Sequence, residues 1–310
     1  GIYKVDNIEE IKKFINKHKL PIIIKAASGG GGKGMRAVFE IDELEPSINA
    51  AKIESKKSFN DDTIYIEKYI KNPKHIEIQI LADKFGNILT LGERDCSIQR
   101  NHQKLIEECP STVLNKDQRN EISEICKQAV KSVNYLGVGT LEFLYENNKF
   151  YFMEMNTRLQ VEHTITEMVT GIDLVKQQLS VANGEEIKIK QEDIKMSGHA
   201  IECRVNAEHP DTFMPSPGTI SQYHQPGGPG IRVDSAIYQG YSIPPHYDSM
   251  IAKLITYGDS RYESLQKMKR ALEEYIIMGV YTNLQLHQKI LETEEFSSGN
   301  YNINFMSEFE

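Results

Sequence analysis

From Glu154 to His163 every second residue is polar or charged: Glu154, Asn156, Arg158, Gln160 and Glu162. In an extended chain alternate side chains share a face. One face would carry these five, and the other Met155, Thr157, Leu159 and Val161. Upstream, 140–145 and 149–154 read as two aromatic-rich strands around Glu146, Asn147 and Asn148. A three-residue loop would pair Tyr145 with Lys149 and Thr140 with Glu154, leaving Glu142 diagonal to Glu154 on one face. A two-residue loop would put the two acids on opposite faces. Two carboxylates and Asn156, all oxygen ligands, suit Mg²⁺ or Mn²⁺ held against phosphates. A solvated strand face is the competing reading, but Arg and Gln set between acids with apolar neighbours argue against it.

The chain has 310 residues, enough for two modest domains or one large one. Its net charge of −8 argues against a general nucleic-acid or membrane-surface binder, though not against a local basic pocket. No apolar run approaches a membrane span, and the start of the chain has no secretory pattern. Cys96, Cys109, Cys126 and Cys203 are spaced for neither a zinc site nor a redox pair, so free thiols in a reducing, cytoplasmic setting are expected.

Along the chain, 8–15 has helical spacing and Pro21 to Lys25 reads as a buried strand ending in a charge. The glycine run 29–34 follows. It is no Walker loop, because Ala27 stands where the first glycine belongs and Gly34 follows Lys33. It fits the dinucleotide spacing, but a strand rather than a helix is expected at 35–39. A hairpin flap whose backbone N–H groups fold over phosphates fits best. A helix over 41–57 and a strand over 63–70 complete a small unit, with a break near Pro73. Strands are expected at 75–82 and 87–95, with His75, Glu77 and Gln79 sharing a face. Residues 97–104 form a polar, cationic stretch, either a solvated loop or an anion contact. A helix is expected over 118–135, capped by Gly137, and another over 162–181, broken at Gly171. Beyond about 196, short strands alternate with Pro/Gly turns, followed by helices at 261–277 and 283–291.

Several runs together resemble biotin carboxylase, the ATP-grasp component of acetyl-CoA carboxylase and related biotin-dependent carboxylases. They are 24–36, Glu93 to Ser97, Arg100 with His102, Gln103 and Lys104, Glu154 to His163, and Tyr247 to Met250. The resemblance implies an α+β ATP-grasp fold. Its small lobe with the flap would span 1–70, its large lobe with the metal and bicarbonate site 71–190, and a β-rich C-terminal domain 191–310. Lys25, Gly31 and Gly32 would hold ATP phosphates. Glu67, Lys68, Tyr69 and Ile70 would meet adenine, and His75, Gln99 and His102 the ribose and phosphates. Glu142, Glu154 and Asn156 would bind Mg²⁺ or Mn²⁺. Lys104, Arg158, Gln160, Val161 and Glu162 would hold bicarbonate, Glu162 as its base, and Arg204 would face the ureido oxygen of biotin.

The implied reaction is ATP- and bicarbonate-dependent carboxylation of biotin on a biotin carboxyl carrier protein, through carboxyphosphate. It would be the first half-reaction of acetyl-CoA carboxylase or a related acyl-CoA or pyruvate carboxylase. The partners would be that carrier, a carboxyltransferase and a second copy of the chain. Two departures stand out. The family opens with a nucleotide-fold domain ahead of the flap that this sequence lacks, so a fragment is expected. Asn101 stands where many relatives carry a second Arg. The competing readings are another ATP-grasp ligase and a nucleotide-binding or dimerising module without activity.

Overall fold

The computed structural model describes residues 1–3, 8–29 and 34–309, so the expectations for Gly31 and Gly32 lie outside the described residues. Two compact units are present, Gly1–Pro73 with Asn101–Gln103, and Lys74–Arg100 with Lys104–Glu310.

In the first unit, β1 (Ile2–Tyr3) and α1 (Ile8–His18) precede β2 (Ile22–Ala26) and β3 (Met35–Val38). A 3-10 turn (Ile41–Glu43), α2 (Leu44–Phe59) and β4 (Ile64–Lys68) follow. The sheet order is β1-β4-β2-β3. Alternation in β2 and β4 sends Ile22, Ile24, Ile64 and Ile66 into one core, where Ile11 and Ile15 of α1 and Leu44 of α2 meet them. Helix α2 ends where Asn60 turns left-handed at φ 56°. Strands β2 and β3 are antiparallel, with Lys25 opposite Met35 and Ala26 N donating to Gly34 O at 3.0 Å. The glycine segment therefore joins two strands and does not open a helix.

The second unit begins with β5 (Lys74–Ala82), β6 (Ile88–Arg100), β7 (Gln103–Cys109) and α3 (Lys116–Ser132). Then come β8 (Gly137–Glu146), β9 (Lys149–Asn156), α4 (His163–Thr170), α5 (Leu174–Ala182) and β10 (His199–Asn206). Short strands β11 (Gly218–Thr219) and β12 (Gln222–His224) lead to β13 (Ile231–Ser235), β14 (Ser242–Ile243) and β15 (Met250–Gly258). The order closes with α6 (Arg261–Glu274), β16 (Ile276–Met278), α7 (Leu284–Glu292), α8 (Glu294–Ser298) and α9 (Phe305–Glu308). One sheet, β13-β15-β10-β7-β6-β5-β8-β9, runs through residues on both sides of position 190. Helix α3 starts on a reciprocal cap between Asn115 and Gln118 and lays Ile122, Cys126 and Val130 on Ile78, Ile80 and Leu141. The largest core joins β10 and β15 to α6 and α7 through Cys203, Val205, Leu254, Met268 and Ile290.

The structure corrects several local expectations. Strand β5 is buried on both faces, so the face expected for His75, Glu77 and Gln79 lies inside the protein. Residues 97–104 are strands β6 and β7, joined at Asn101 and His102 with φ of 49° and 64°. Gly137 opens β8, and α3 stops earlier, at Ser132. The helix from Arg261 ends at Glu274, and Ile276–Met278 is strand β16. Gly171, at φ 70°, does end α4.

The β8–β9 hairpin carries the most consequential correction. Glu146 pairs with Lys149, so the loop is Asn147 and Asn148, both left-handed at φ 51° and 60°. That is the backbone a tight two-residue hairpin requires, and Asn tolerates it. Unbroken, this register would put Glu142 opposite Met153. A bulge intervenes: Phe143 pairs with Phe152, but Glu142 pairs with Glu154. The extra residue returns both acids to one face, directly opposite rather than diagonal. The pattern does not continue as a strand past Asn156, and Glu162 caps α4 at φ −80°, ψ 9°.

Candidate active site

In the first unit, the register of β2 on β4 brings Lys25 and Glu67 together: Lys25 Nζ lies 2.6 Å from Glu67 Oε2 and 5.8 Å from the Tyr65 ring. Lys68 is exposed at the end of β4, and Ile70 is buried. Tyr69 N donates to Pro21 O at 3.2 Å, and its ring meets Phe39 edge-on at 5.6 Å. His102, exposed, sits in the β6–β7 turn that groups with this unit.

In the second unit, a buried ionic network crosses the sheet from β5 to β10. Lys104 Nζ on β7 contacts Glu77 Oε2 at 2.6 Å, Glu142 Oε1 at 3.1 Å and Glu162 Oε1 at 2.6 Å. Arg204 on β10 donates through Nε to Glu107 Oε1 at 2.5 Å and through Nη2 to Glu162 Oε2 at 3.0 Å. Glu162 is 2% exposed and thus sits between two cations. Burial and Glu77 would raise its pKa, but Lys104, Arg204 and Arg94 outweigh them and hold it below the usual carboxylate value. Lys104 and Arg204 are held charged in the same way, their carboxylate neighbours overcoming burial.

Glu142 is the hub of the metal face. Its Oε1 accepts from Asn156 Nδ2 at 3.0 Å and Gln160 Nε2 at 2.7 Å, and its Oε2 meets His75 Nε2 at 2.9 Å. Burial opposes ionisation, yet the bonds from His75 and Lys104 hold this carboxyl far below its ordinary range. Glu154 is exposed directly opposite. Two carboxylates and an amide oxygen, one acid firmly ionised, are a hard oxygen set that fits Mg²⁺ or Mn²⁺. His75 is buried against Glu142 rather than open, and its Nδ1 lies 3.4 Å from Gln99 Nε2. Arg158 is exposed and donates to Asn156 Oδ1 at 3.2 Å. Val161 offers its carbonyl to Lys253 Nζ at 2.9 Å.

The structure also brings in residues to which the sequence reading gave no role. Fully buried Arg94 donates to Glu77 at 2.5 Å, Gln79 at 2.6 Å, Thr166 at 2.9 Å, Thr140 at 3.2 Å and Gln160 at 2.9 Å. It fixes Gln160 from behind, while Glu77 joins Arg94 to Lys104. Nothing in the sequence marked them, because β5 alternates polar and apolar residues as a strand with one wet face would, and only the sheet buries both faces.

This arrangement can be set against known proteins. Residues 1–190 match the family model for the carbamoyl-phosphate synthase L chain ATP-binding domain, and 202–308 match the biotin carboxylase C-terminal domain. Biotin carboxylase of Haemophilus influenzae is 55% identical over 97% of this chain and 67% of that protein. The chain belongs to the biotin carboxylase family. Its members are ATP-dependent carboxylases of the ligase class, and the fold is their ATP-grasp fold. A biotin carboxylase from Campylobacter jejuni, crystallised as a β,γ-ATP complex, superposes with a TM-score of 0.94 at 46% identity, over 98% of this chain and 68% of that one. The biotin carboxylase domain dimer of Hydrogenobacter thermophilus 2-oxoglutarate carboxylase, solved with MgADP, ADP and bicarbonate, gives 0.92 at 45% identity, over 99% and 68%. Among the described residues no helix is long and apolar enough to cross a membrane.

Proposed function

We propose that this biotin carboxylase family chain carboxylates biotin on a carrier protein, using ATP and bicarbonate. The observation that carries the reading is Glu162 held ionised between Lys104 and Arg204, beside the oxygen face of Glu142 and Asn156. Bicarbonate is a poor nucleophile, so the reaction needs a base and fixed cations. Arg158, Lys104, Gln160 and the Val161 backbone hold the anion. Glu162 takes its proton, and the bicarbonate oxygen attacks the γ-phosphate, displacing ADP, to give carboxyphosphate. Loss of CO₂ frees phosphate, which removes the biotin N1′ proton. Arg204 stabilises the resulting ureido oxyanion, whose N1′ then attacks the released CO₂ to form the N–CO₂⁻ bond of carboxybiotin. Mg²⁺ or Mn²⁺, held by Glu142, Glu154 and Asn156, would supply charge neutralisation at the phosphates.

The ATP roles of Lys25, Gly31, Gly32, Glu67, Lys68, Tyr69, Ile70, His75, Gln99 and His102, and the division at 70 and 190, follow the family resemblance. A carrier protein, a carboxyltransferase, a second copy of the chain and a cytoplasmic setting complete the proposal. Four buried free thiols are consistent with a reducing compartment. The test is phosphate release from ATP by the intact protein. Release that needs both bicarbonate and biotin, and is abolished by Glu162→Gln, supports the reading. Release independent of bicarbonate points to another ATP-grasp ligase, and no release to a module that only binds.

A further inference from the structure

Behind Glu162 the sheet sets two acids face to face. Glu107 on β7 and Glu202 on β10 are register partners, and both are shielded from solvent. Each has one oxygen engaged: Glu107 Oε1 accepts from Arg204 Nε at 2.5 Å, and Glu202 Oε2 accepts from Thr164 Oγ1. The other two, Glu107 Oε2 and Glu202 Oε1, make no hydrogen bond with any described residue. Directly opposite side chains in an antiparallel pair have Cβ atoms about 4.5–5.5 Å apart, so the two carboxyl groups are within reach of each other.

Ionised together, the pair would place two anions in low dielectric, each half-satisfied. Like charges at such range do not both ionise. The surroundings cannot supply the missing charge. The network holds the carboxylates of Glu77, Glu142 and Glu162 in addition, against Arg94, Lys104 and Arg204. Lys253, the next cation, already lies 3.5 Å from Asp234. The nearby thiol of Cys96 is kept neutral by burial and supplies no charge.

On the biotin carboxylase reading above, we infer that Glu107 and Glu202 share one proton and act as a positioning pair for Arg204. The proton lies between the two unbonded oxygens and makes each a partner of the other. Glu107 keeps its second oxygen on Arg204 Nε, so the guanidinium is gripped from behind while Nη2 reaches Glu162. Its Nη1 makes neither bond and is left for the ureido oxygen. Burial pushes Glu107 up to about 7, with Glu162 adding and Arg204 opposing; burial and then Glu107 push Glu202 up to about 8.

Infrared spectroscopy on the intact protein carrying ¹³C-carboxyl glutamate tests the pair without substrates. A protonated-carboxyl stretch is expected at neutral pH in the wild type and is lost in both Glu107→Gln and Glu202→Gln. Absence of that band in the wild type, or its persistence in either variant, overturns the shared proton. The wild-type band stands even if a variant fails to fold. The positioning role is read separately. Glu202→Leu strips Glu107 of its partner, whereas Gln at 202 restores a donor. The Leu variant is expected to lower kcat about tenfold more than the Gln variant, with KM for ATP moving in neither. Equal kcat in the two variants overturns the positioning role. No turnover in the wild type with the band present would fault the reaction assignment and leave the proton pair standing.

Discussion

Arg204 donates to Glu162 at 3.0 Å, so the proposed base and the proposed oxyanion-stabilising cation are bound to each other before any substrate arrives. Each neutralises the other and each is held by a second partner, Lys104 for Glu162 and Glu107 for Arg204. Arg204→Ala is therefore expected to act in two ways. It removes charge stabilisation for the ureido anion, a loss of about 10²–10³ in kcat, and it leaves Glu107 without a counterion. Arg204→Lys keeps the charge but cannot bond two carboxylates in fork geometry, and it too is expected to fall well short of wild type. Steady-state assays of biotin-dependent ATP turnover check both.

Glu77→Gln tests the network as a scaffold. Glu77 has no exposure and neutralises Arg94 and Lys104 together. Breaking a buried pair on one side leaves an uncompensated charge and costs about 3–5 kcal/mol. Chemical denaturation should show that loss; a change under about 1 kcal/mol would mean that water or Glu142 takes over the role.

Metal affinity should respond to Glu154 without a change in folding. Glu154 is exposed on β9, opposite buried Glu142. Glu154→Gln is expected to raise the Mn²⁺ concentration for half-maximal activity at least about tenfold while the denaturation midpoint stays put. Titration with Mn²⁺ alongside urea unfolding separates the two.

Stability should fall in acid in two stages. Burial holds His287 neutral and lowers its pKa to about 4, while its Nε2 bonds the Arg204 carbonyl at 2.7 Å. A depressed folded pKa gives stability that is complete above the unfolded value of about 6.5 and lost as pH falls towards 4. Glu77 comes second: burial opposes ionisation, but Arg94 and Lys104 lower it to about 2, so its contribution is complete above about 4.5 and lost towards 2. His287→Gln, which keeps a donor for the carbonyl, should remove the upper stage and leave the lower. Thermal unfolding from about pH 2 to 8 reads both.

What the sequence made legible was mostly local. The isoleucine strands, Gly171 and the amphipathic helices follow from periodicity and backbone preference, and the alternation from Glu154 marked the site although the strand stops at Asn156. The loop beside it was misjudged because Glu146 reads equally as a turn residue or a strand end, and nothing in a single sequence announces a bulge. The parts that long-range pairing creates were not legible. Glu107 meets Glu202 only because β7 pairs with β10, and Arg94 on β6 reaches Gln160 in the loop between β9 and α4. A buried acid and an exposed one look alike until their neighbours are known.

The bulge at Met153 separates the hairpin tip from the ligand face. Two regular stretches of pairing, Phe143–Glu146 with Lys149–Phe152 and Thr140–Glu142 with Glu154–Asn156, meet at that one unpaired residue. Shortening or lengthening the tip by one residue could thus be absorbed there, as slack in a seam, before Glu142 and Glu154 had to part. Variation at Asn147 and Asn148 need not reach the cation-holding oxygens, whereas a residue gained or lost between Glu154 and Asn156 has no such joint to take it up.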